Sequence, residues 1–456
     1  MSGELVPGVR RMRPDDHFML LSETDASPMH VGALILLEVG EADKPGLLAA
    51  LRAHFAVRLP ATPLLARLVE APDGYDSNVW AEVASADMSA LFVREDTPTP
   101  DETSLHAAVA VLNMRQLDLS RPPFMAHLFD ALPGNRAAIY FKMHHCVADG
   151  IGFQEVLRLL SDECPPAPPR IAEAALPPRP RWLALAEARF AEEEPERARQ
   201  SAGRKAALAQ LEAFKGERVP TPVFALSGPT SPRRSYTTIS IPLDGFKAAG
   251  KALGATVNDL FLACASFALR EYLLARGQLP EAPLVINSSR SYRRPEHGPF
   301  GNRIAAIHPH LATHIADPLE RLAAIRASMA SELRRSPLDE ALLDALEKPF
   351  GARDRREAFA RRASTGEGRV LPGNLSLSNV PGPAGQRSYA GYPQVHNFPV
   401  PIIGSGRFFN ITSRRSGPNL DMGVIADGEK IEDVQELAAL FRKGLTHYSA
   451  LGSGLN

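Results

Sequence analysis

Seven of the nineteen residues in "CPPAPPRIAEAALPPRPRW" (164–182) are proline. Proline has no backbone N–H and a fixed φ, so this stretch cannot be a helix interior or a central strand. It must run as an extended connector, and it cuts the chain. A second proline-rich stretch follows at 220–232, in a chain where proline supplies 40 of 456 residues against a usual share of about 5%. Between the two lies "LALAEARFAEEEPERARQSAGRKAALAQLEAF", made mostly of helix formers and interrupted near Pro195. That predicts one or two exposed helices. The chain therefore divides into a first half (1–165), a connector (166–225) and a second half (226–456). Its length is too great for one ordinary core and points to the same division.

Each half mixes element types. "HVGALILLEV", "RAAIYFKM", "APLVINSS" and "GNLSLSNV" read as strands, being apolar or β-branched and bounded by turn residues. "DKPGLLAALRAHFAV", "DETSLHAAVAVLNMRQL", "PLDGFKAAGKAL" and "TVNDLFLACASFALREYLLARG" carry apolar residues at helical spacing. A layered α/β fold follows. A short internal echo joins the halves. "HHCVADGIGFQEVLRLL" and "MGVIADGEKIEDVQELAALF" both run from a strand through Ala-Asp-Gly into an amphipathic helix. Aligned on Asp149 and Asp427, His144 and His145 fall opposite Met422 and Gly423. The echo predicts two similarly built halves, only one of which carries the chemistry.

Bulk numbers exclude several function classes. A net charge of −1 and 7% aromatic residues give neither the basic field nor the stacking surface of a nucleic-acid binder. The three cysteines show no CxxC or Cys/His ligand spacing, so neither a zinc site nor a disulfide framework is expected. The amino-terminal residues have no apolar targeting core, and no apolar run reaches the roughly 18 residues of a membrane span. A cytoplasmic protein is expected.

The chemistry concentrates in "YFKMHHCVADGIGFQEV" (140–156). A strand ending near His145, a turn through 148–150 and a helix from about Gly152 would hold one imidazole rigidly at the mouth of a site. Successive strand residues face opposite ways, so His144 and His145 do not act as a unit: one faces a cleft and the other the interior. Asp149 stands where a carboxylate caps amides or pairs with an arginine, and Gly150 permits a close backbone approach. A packed strand end with an N-cap aspartate is the plainer reading. A metal would need three ligands and no third is evident. A Cys146 thiolate would need a base and an orienter, and Cys146 sits among apolar residues. His144 and Asp149 also satisfy a His-x4-Asp spacing, found in membrane-bound glycerol-phosphate acyltransferases.

His144-His145-Cys146-Val147-Ala148-Asp149-Gly150 matches HHxxxDG, the pattern of the coenzyme A- and carrier-protein-dependent acyltransferases, including chloramphenicol acetyltransferase and peptide synthetase condensation domains. Four further segments narrow the resemblance: "MRPDDHFMLLSETDASPMHVGALILLE" (12–38), "GATVNDLFLACASFALREYL" (254–273), "FGNRIAAIHPHLATHIADPLERLAAIRAS" (300–328) and "LSLSNVPGP" (375–383). In this order they resemble the bacterial wax ester synthase/diacylglycerol acyltransferase family. Two segments depart from it: Pro122-Pro123-Phe124 stands where Pro-Leu-Trp is usual, and "INSSRS" (286–291) where "PVSLR" is usual.

The resemblance implies a two-lobed, chloramphenicol acetyltransferase-like pseudo-dimer with mixed sheets and a tunnel at the lobe interface. It implies acyl transfer from acyl-coenzyme A, as substrate, to a long-chain alcohol or diacylglycerol, with no cofactor and no metal. His145 would be the general base, His144 and Asp149 its supports, with Arg290 a candidate partner for Asp149. Asn258 would orient a substrate or the base, or cap a helix; Ser378 and Asn379 would face the site or form a turn. Peripheral contact with a membrane or lipid inclusions would suit such substrates. The departures leave room for a specialised acceptor or a carrier-bound acyl donor, and a lipid-binding protein without catalysis is a further alternative.

Overall fold

The computed structural model describes residues 7–72, 77–170, 173–213, 218–336, 372–431 and 433–454. The amino-terminal stretch examined for a targeting core is therefore described only from Pro7 onward. The first half supplies β1 (Val9–Arg11), α1 (Pro14–Leu21), β2 (His30–Glu38), α2 (Lys44–Ala56), β3 (Ala66–Val69), β4 (Val79–Glu82), α3 (Met88–Leu91), β5 (Phe92–Arg94), α4 (Glu102–Met114), β6 (Phe124–Phe129), β7 (Arg136–His144) and α5 (Gly150–Leu159). The connector forms α6 (Arg179–Glu192) and α7 (Glu194–Ala213). The second half follows with β8 (Arg234–Pro242), α8 (Leu243–Ala252), α9 (Val257–Leu274), β9 (Ile286–Ser291), β10 (Ile304–Ile307), α10 (Pro318–Arg335), β11 (Leu375–Val380), β12 (Ser388–Tyr389), β13 (Tyr392–Val400), β14 (Phe409–Ser416), β15 (Asn419–Asp427) and α11 (Val434–Gly454).

The strands and helices expected from periodicity form, with ends moved by a few residues. The connector departs in one respect: α6 begins inside the proline-rich stretch, with Pro180 in its first turn, where a missing N–H leaves nothing unpaired. Trp182 and Ala186 of α6 are buried with Val9 and Val79 against the small sheet β1-β4-β3, so the connector is docked along part of its length.

Two six-stranded mixed sheets carry the lobes. In the first, β2, β7 and β6 pair antiparallel and β5 joins β6 in parallel. In the second, β8, β15 and β14 pair antiparallel and β11 joins β14 in parallel. The sequence echo is thus a repeat of topology. β7 leads through Asp149 into α5, and β15 through Asp427 to α11. Each sheet has its own apolar core. A third cluster, including Leu34, Val109, Tyr140, Tyr236, Phe398 and Ile425, is shared between the lobes.

The lobes are not simple halves of the chain. β12 and β13 come from the second half, yet β13 pairs antiparallel with β2 and extends the first sheet. A boundary near residue 226 therefore describes the chain but not the sheets. The crossover also explains why the second lobe cannot mirror the first at the histidine position. Gly423, aligned with His145, lies so close to β13 that a Cβ on it would come within 1.6 Å of the Pro399 carbonyl oxygen. Backbone cannot yield there as a flexible side chain would. Gly423→Ala is expected to cost on the order of 1–3 kcal/mol, read as a lowered Tm, whereas alanine at Gly46, with open space around it, should leave Tm nearly unchanged.

Candidate active site

β7 ends at His144, and the chain turns through His145, Cys146 and Val147 before Asp149 caps α5. The Asp149 Oδ1 accepts the Gly152 N–H at 2.9 Å, which starts α5 by satisfying one of its orphan donors. The same carboxylate accepts Arg293 Nε at 3.2 Å, Arg293 Nη2 at 2.9 Å and the Arg303 N–H at 2.7 Å. Its acceptor sites are filled, and it is 1% exposed. The partner is Arg293, not Arg290. Arg290 donates to the carbonyls of Leu333 and Ser336 at the end of α10. Both belong to the basic cluster "RSYRRP", and nothing in the sequence ranks one above the other.

Gly150 and Gly152 have different tolerances. A Cβ on Gly150 would meet only Val380 Cγ2 at 3.3 Å, a side-chain atom. On Gly152 it would meet the Pro299 carbonyl oxygen at 2.5 Å and Ala148 Cβ at 2.7 Å. The second lobe is thus packed against the first turn of α5, and Gly152 is the glycine that this approach requires.

The two histidines separate as strand alternation dictates. His144 is fully buried, opposite His30 in the β2–β7 ladder. Glu23 Oε1 lies 3.4 Å from His30 Nε2 and 3.6 Å from His144 Nε2. Burial would raise the Glu23 pKa, but the two imidazoles outweigh it and hold the carboxyl well below its ordinary value. His144 Nδ1 accepts the Cys146 N–H at 3.1 Å, which shapes the turn. Cys146 is buried, and burial pushes its thiol well up, away from a reactive thiolate.

His145 turns the other way and lines a cavity of about 930 Å³. Its backbone is pinned on both sides. The N–H donates to Met29 O at 2.7 Å, and the carbonyl oxygen accepts Asn302 Nδ2 at 2.8 Å. Asn302 is in turn gripped by Asp16 Oδ1, which accepts its N–H at 2.7 Å and its Nδ2 at 2.9 Å. Burial raises the Asp16 carboxyl to about 6 against the opposing pull of Arg13 and Asn302. Gly301, at φ +75°, lets the chain pass Asp16. Burial lowers the His145 pKa below the ordinary histidine value, with the Asp149 charge and the residue's own carbonyl acting in the opposite direction. Its Nδ1 is buried and makes no well-formed hydrogen bond.

Ser378 and Asn379 lie on β11 and line the same cavity, and Asn379 Oδ1 accepts Ser413 Oγ at 3.1 Å. Asn258 is elsewhere. It is the second residue of α9, whose N-cap is Thr256 in a capping box with Asp259, and it is not among the residues lining the cavity. Sequence reasoning missed Asp16, Glu23 and His30, which carry the hydrogen-bonding frame behind the histidines. All three fall in the 12–38 segment, which signalled a family but gave no pairing across the fold. Among the described residues no group of His, Cys, Asp and Glu is arranged to hold a metal ion, and no single helix is long and apolar enough to cross a membrane.

Fold and site together define a two-lobed acyltransferase with its HHxxxDG turn at the lobe interface. The chain belongs to the wax ester synthase/diacylglycerol acyltransferase family. The model for the family's catalytic domain matches residues 12–261, and that for its C-terminal domain residues 300–448. A Mycobacterium tuberculosis protein provisionally named a diacylglycerol O-acyltransferase is 30% identical, the match covering 97% of each chain. A second from the same organism is 29% identical over 93% of this chain and 96% of its own. The fold is that of the wax ester synthase/diacylglycerol acyltransferase from Marinobacter aquaeolei VT8 (TM-score 0.68, 24% identity, 97% of this chain and 100% of the other). It is shared more distantly by the first condensation domain of the calcium-dependent antibiotic synthetase (TM-score 0.60, 16% identity, 97% and 96% covered).

The Asp149–Arg293 pair is buried at both ends, so removing one partner strands a charge. Arg293→Met is expected to lower the unfolding free energy by about 3–5 kcal/mol, measured by urea denaturation. Arg290→Met, which removes only contacts to carbonyls, should cost clearly less.

Proposed function

We propose that this protein transfers a fatty acyl group from acyl-coenzyme A to the hydroxyl of a long-chain alcohol or a diacylglycerol, giving a wax ester or a triacylglycerol, with His145 as general base. The observation that carries this reading is the His145 imidazole, kept neutral by burial on the wall of a cavity shared by both lobes.

The imidazole takes the proton of the acceptor hydroxyl as its oxygen attacks the thioester carbon. The new C–O bond leaves a tetrahedral oxyanion, which needs donors. The Ser378 hydroxyl on β11 is the donor assigned to it. Collapse breaks the C–S bond, and the departing thiolate takes back the proton from His145. Atoms balance without a covalent enzyme intermediate, so acid–base chemistry and positioning suffice and no cofactor beyond the coenzyme A substrate is required. Asp149 acts by holding the turn, since its oxygens are taken up by Gly152, Arg293 and Arg303. Water-insoluble substrates would bring the protein to a membrane surface or lipid inclusion.

His145→Ala is expected to lower kcat by about 10²–10⁴-fold, followed as coenzyme A release with long-chain acyl-coenzyme A and a panel of alcohols and diacylglycerols. Near-full turnover by that variant would sink the mechanism. In the wild type, only the neutral imidazole accepts a proton, and its pKa is lowered. The kcat/KM should therefore stay flat above neutrality and fall through one acidic limb, with a midpoint below the ordinary histidine value of ~6.5. A midpoint above that value would contradict the assignment.

A further inference from the structure

The cavity has two unlike walls. Phe18, Met19, Val31 and Phe153 of the first lobe form an apolar side. The opposite side is the inner face of the second sheet, where alternate residues of β9, β11 and β14 point inward. Those residues are polar on every strand: Asn287 and Ser289, Ser376 and Ser378, and Asn410, Thr412 and Arg414. The hydroxyls of Ser289, Ser376 and Ser378 have no partner among the described residues, so they are free to bind a ligand.

Arg414 is the anomaly in this wall. It is 1% exposed, yet its one hydrogen bond runs from Nη2 to the Asn397 carbonyl oxygen at 3.1 Å, and its Nε has no partner. Among the described residues no carboxylate stands within ion-pair distance. Asp421, its neighbour across the β14–β15 ladder, is taken up by Ser240 Oγ at 2.7 Å, His396 Nδ1 at 3.2 Å and the Asn397 N–H at 2.9 Å. A buried charge whose counter-charge, Asp421, lies beyond ion-pair distance is costly, and a guanidinium is shaped to take two oxygens of one oxyanion. Arg414 is also close to the chemistry. It is paired in register with Val380, whose side chain packs on Gly150 in the HHxxxDG turn.

We propose that the acceptor is an amphipathic alcohol carrying an oxyanion, a carboxylate or a phosphate, that Arg414 binds while Ser289 and Ser376 meet its other oxygens. This rests on the acyl-transfer chemistry of that reading and goes beyond its neutral acceptors to a charged one. The acceptor's chain lies along the apolar wall, its charged group on the sheet, and its hydroxyl reaches His145. Arg414 is then a specificity-determining residue, kept at a cost to stability in the empty protein.

Two matched pairs test this on the full chain. One is ω-hydroxydodecanoic acid and its methyl ester, and the other is lysophosphatidic acid and monoacylglycerol. Each is titrated calorimetrically and used as acceptor in coenzyme A release, beside hexadecanol. The charged member of at least one pair should bind at least about tenfold tighter than its neutral partner, with a matching gain in kcat/KM. The pair that discriminates tells carboxylate from phosphate. Arg414→Met should erase the difference and keep or raise Tm, and Arg414→Lys should retain part of the preference. The proposal is overturned if neither pair discriminates in the wild type. It is equally overturned if Arg414→Met loses Tm while the preference persists, the behaviour of a structural cation. Hexadecanol turnover that needs His145, without any charge preference, would leave the general base standing and this inference fallen. Charge-selective binding without turnover would overturn the inference too, since a bound alcohol that is not acylated is no acceptor.

Discussion

The buried pair between Asp149 and Arg293 is the contact on which the site depends. It does three things with one carboxylate: it starts α5, closes the HHxxxDG turn, and ties that turn to the loop after β9 through Arg293 and the Arg303 N–H. Arg293 also donates to the carbonyls of Gly298, Phe300 and Gly301, so the loop that bears Asn302 is folded around the same guanidinium. Asn302 then fixes the His145 carbonyl. His145 is positioned by backbone contacts from both lobes, and its ring is left to face the cavity.

The strands, the helices and the HHxxxDG turn could be read from the sequence because each depends on local rules: periodicity, proline punctuation, and an aspartate before a helix. The opposite facing of His144 and His145 followed from strand alternation alone. The choice of Arg293 over Arg290 could not be read, because both lie in one short basic run and only the approach of the loop to α5 separates them. Asn258 illustrates the converse. Its segment marks the family, yet local capping by Thr256 and Asp259 accounts for its place at a helix start, remote from the cavity lining. The pairing of Glu23 with His30 and His144 could not be read because it exists only once β2 lies beside β7.

The two lobes show how a repeated topology can be used once. Asp427 keeps the turn-holding role, accepting the Ser231 N–H and hydroxyl, but Gly423 has no room for any side chain beneath Pro399. The second sheet contributes instead the cavity wall opposite His145.

The crossover of β13 has a consequence for how the chain comes off the ribosome. Its partner β2, "HVGALILLE", is made more than three hundred residues earlier. At about 5–20 residues per second, its outer edge waits for tens of seconds with unpaired backbone groups along an apolar strand, the kind of edge that recruits other chains. The first lobe cannot finish its sheet during its own synthesis. Completion is therefore a late, long-range event of high contact order, and chaperone cover of β2 during that interval would govern the yield of native protein more than the stability of either core.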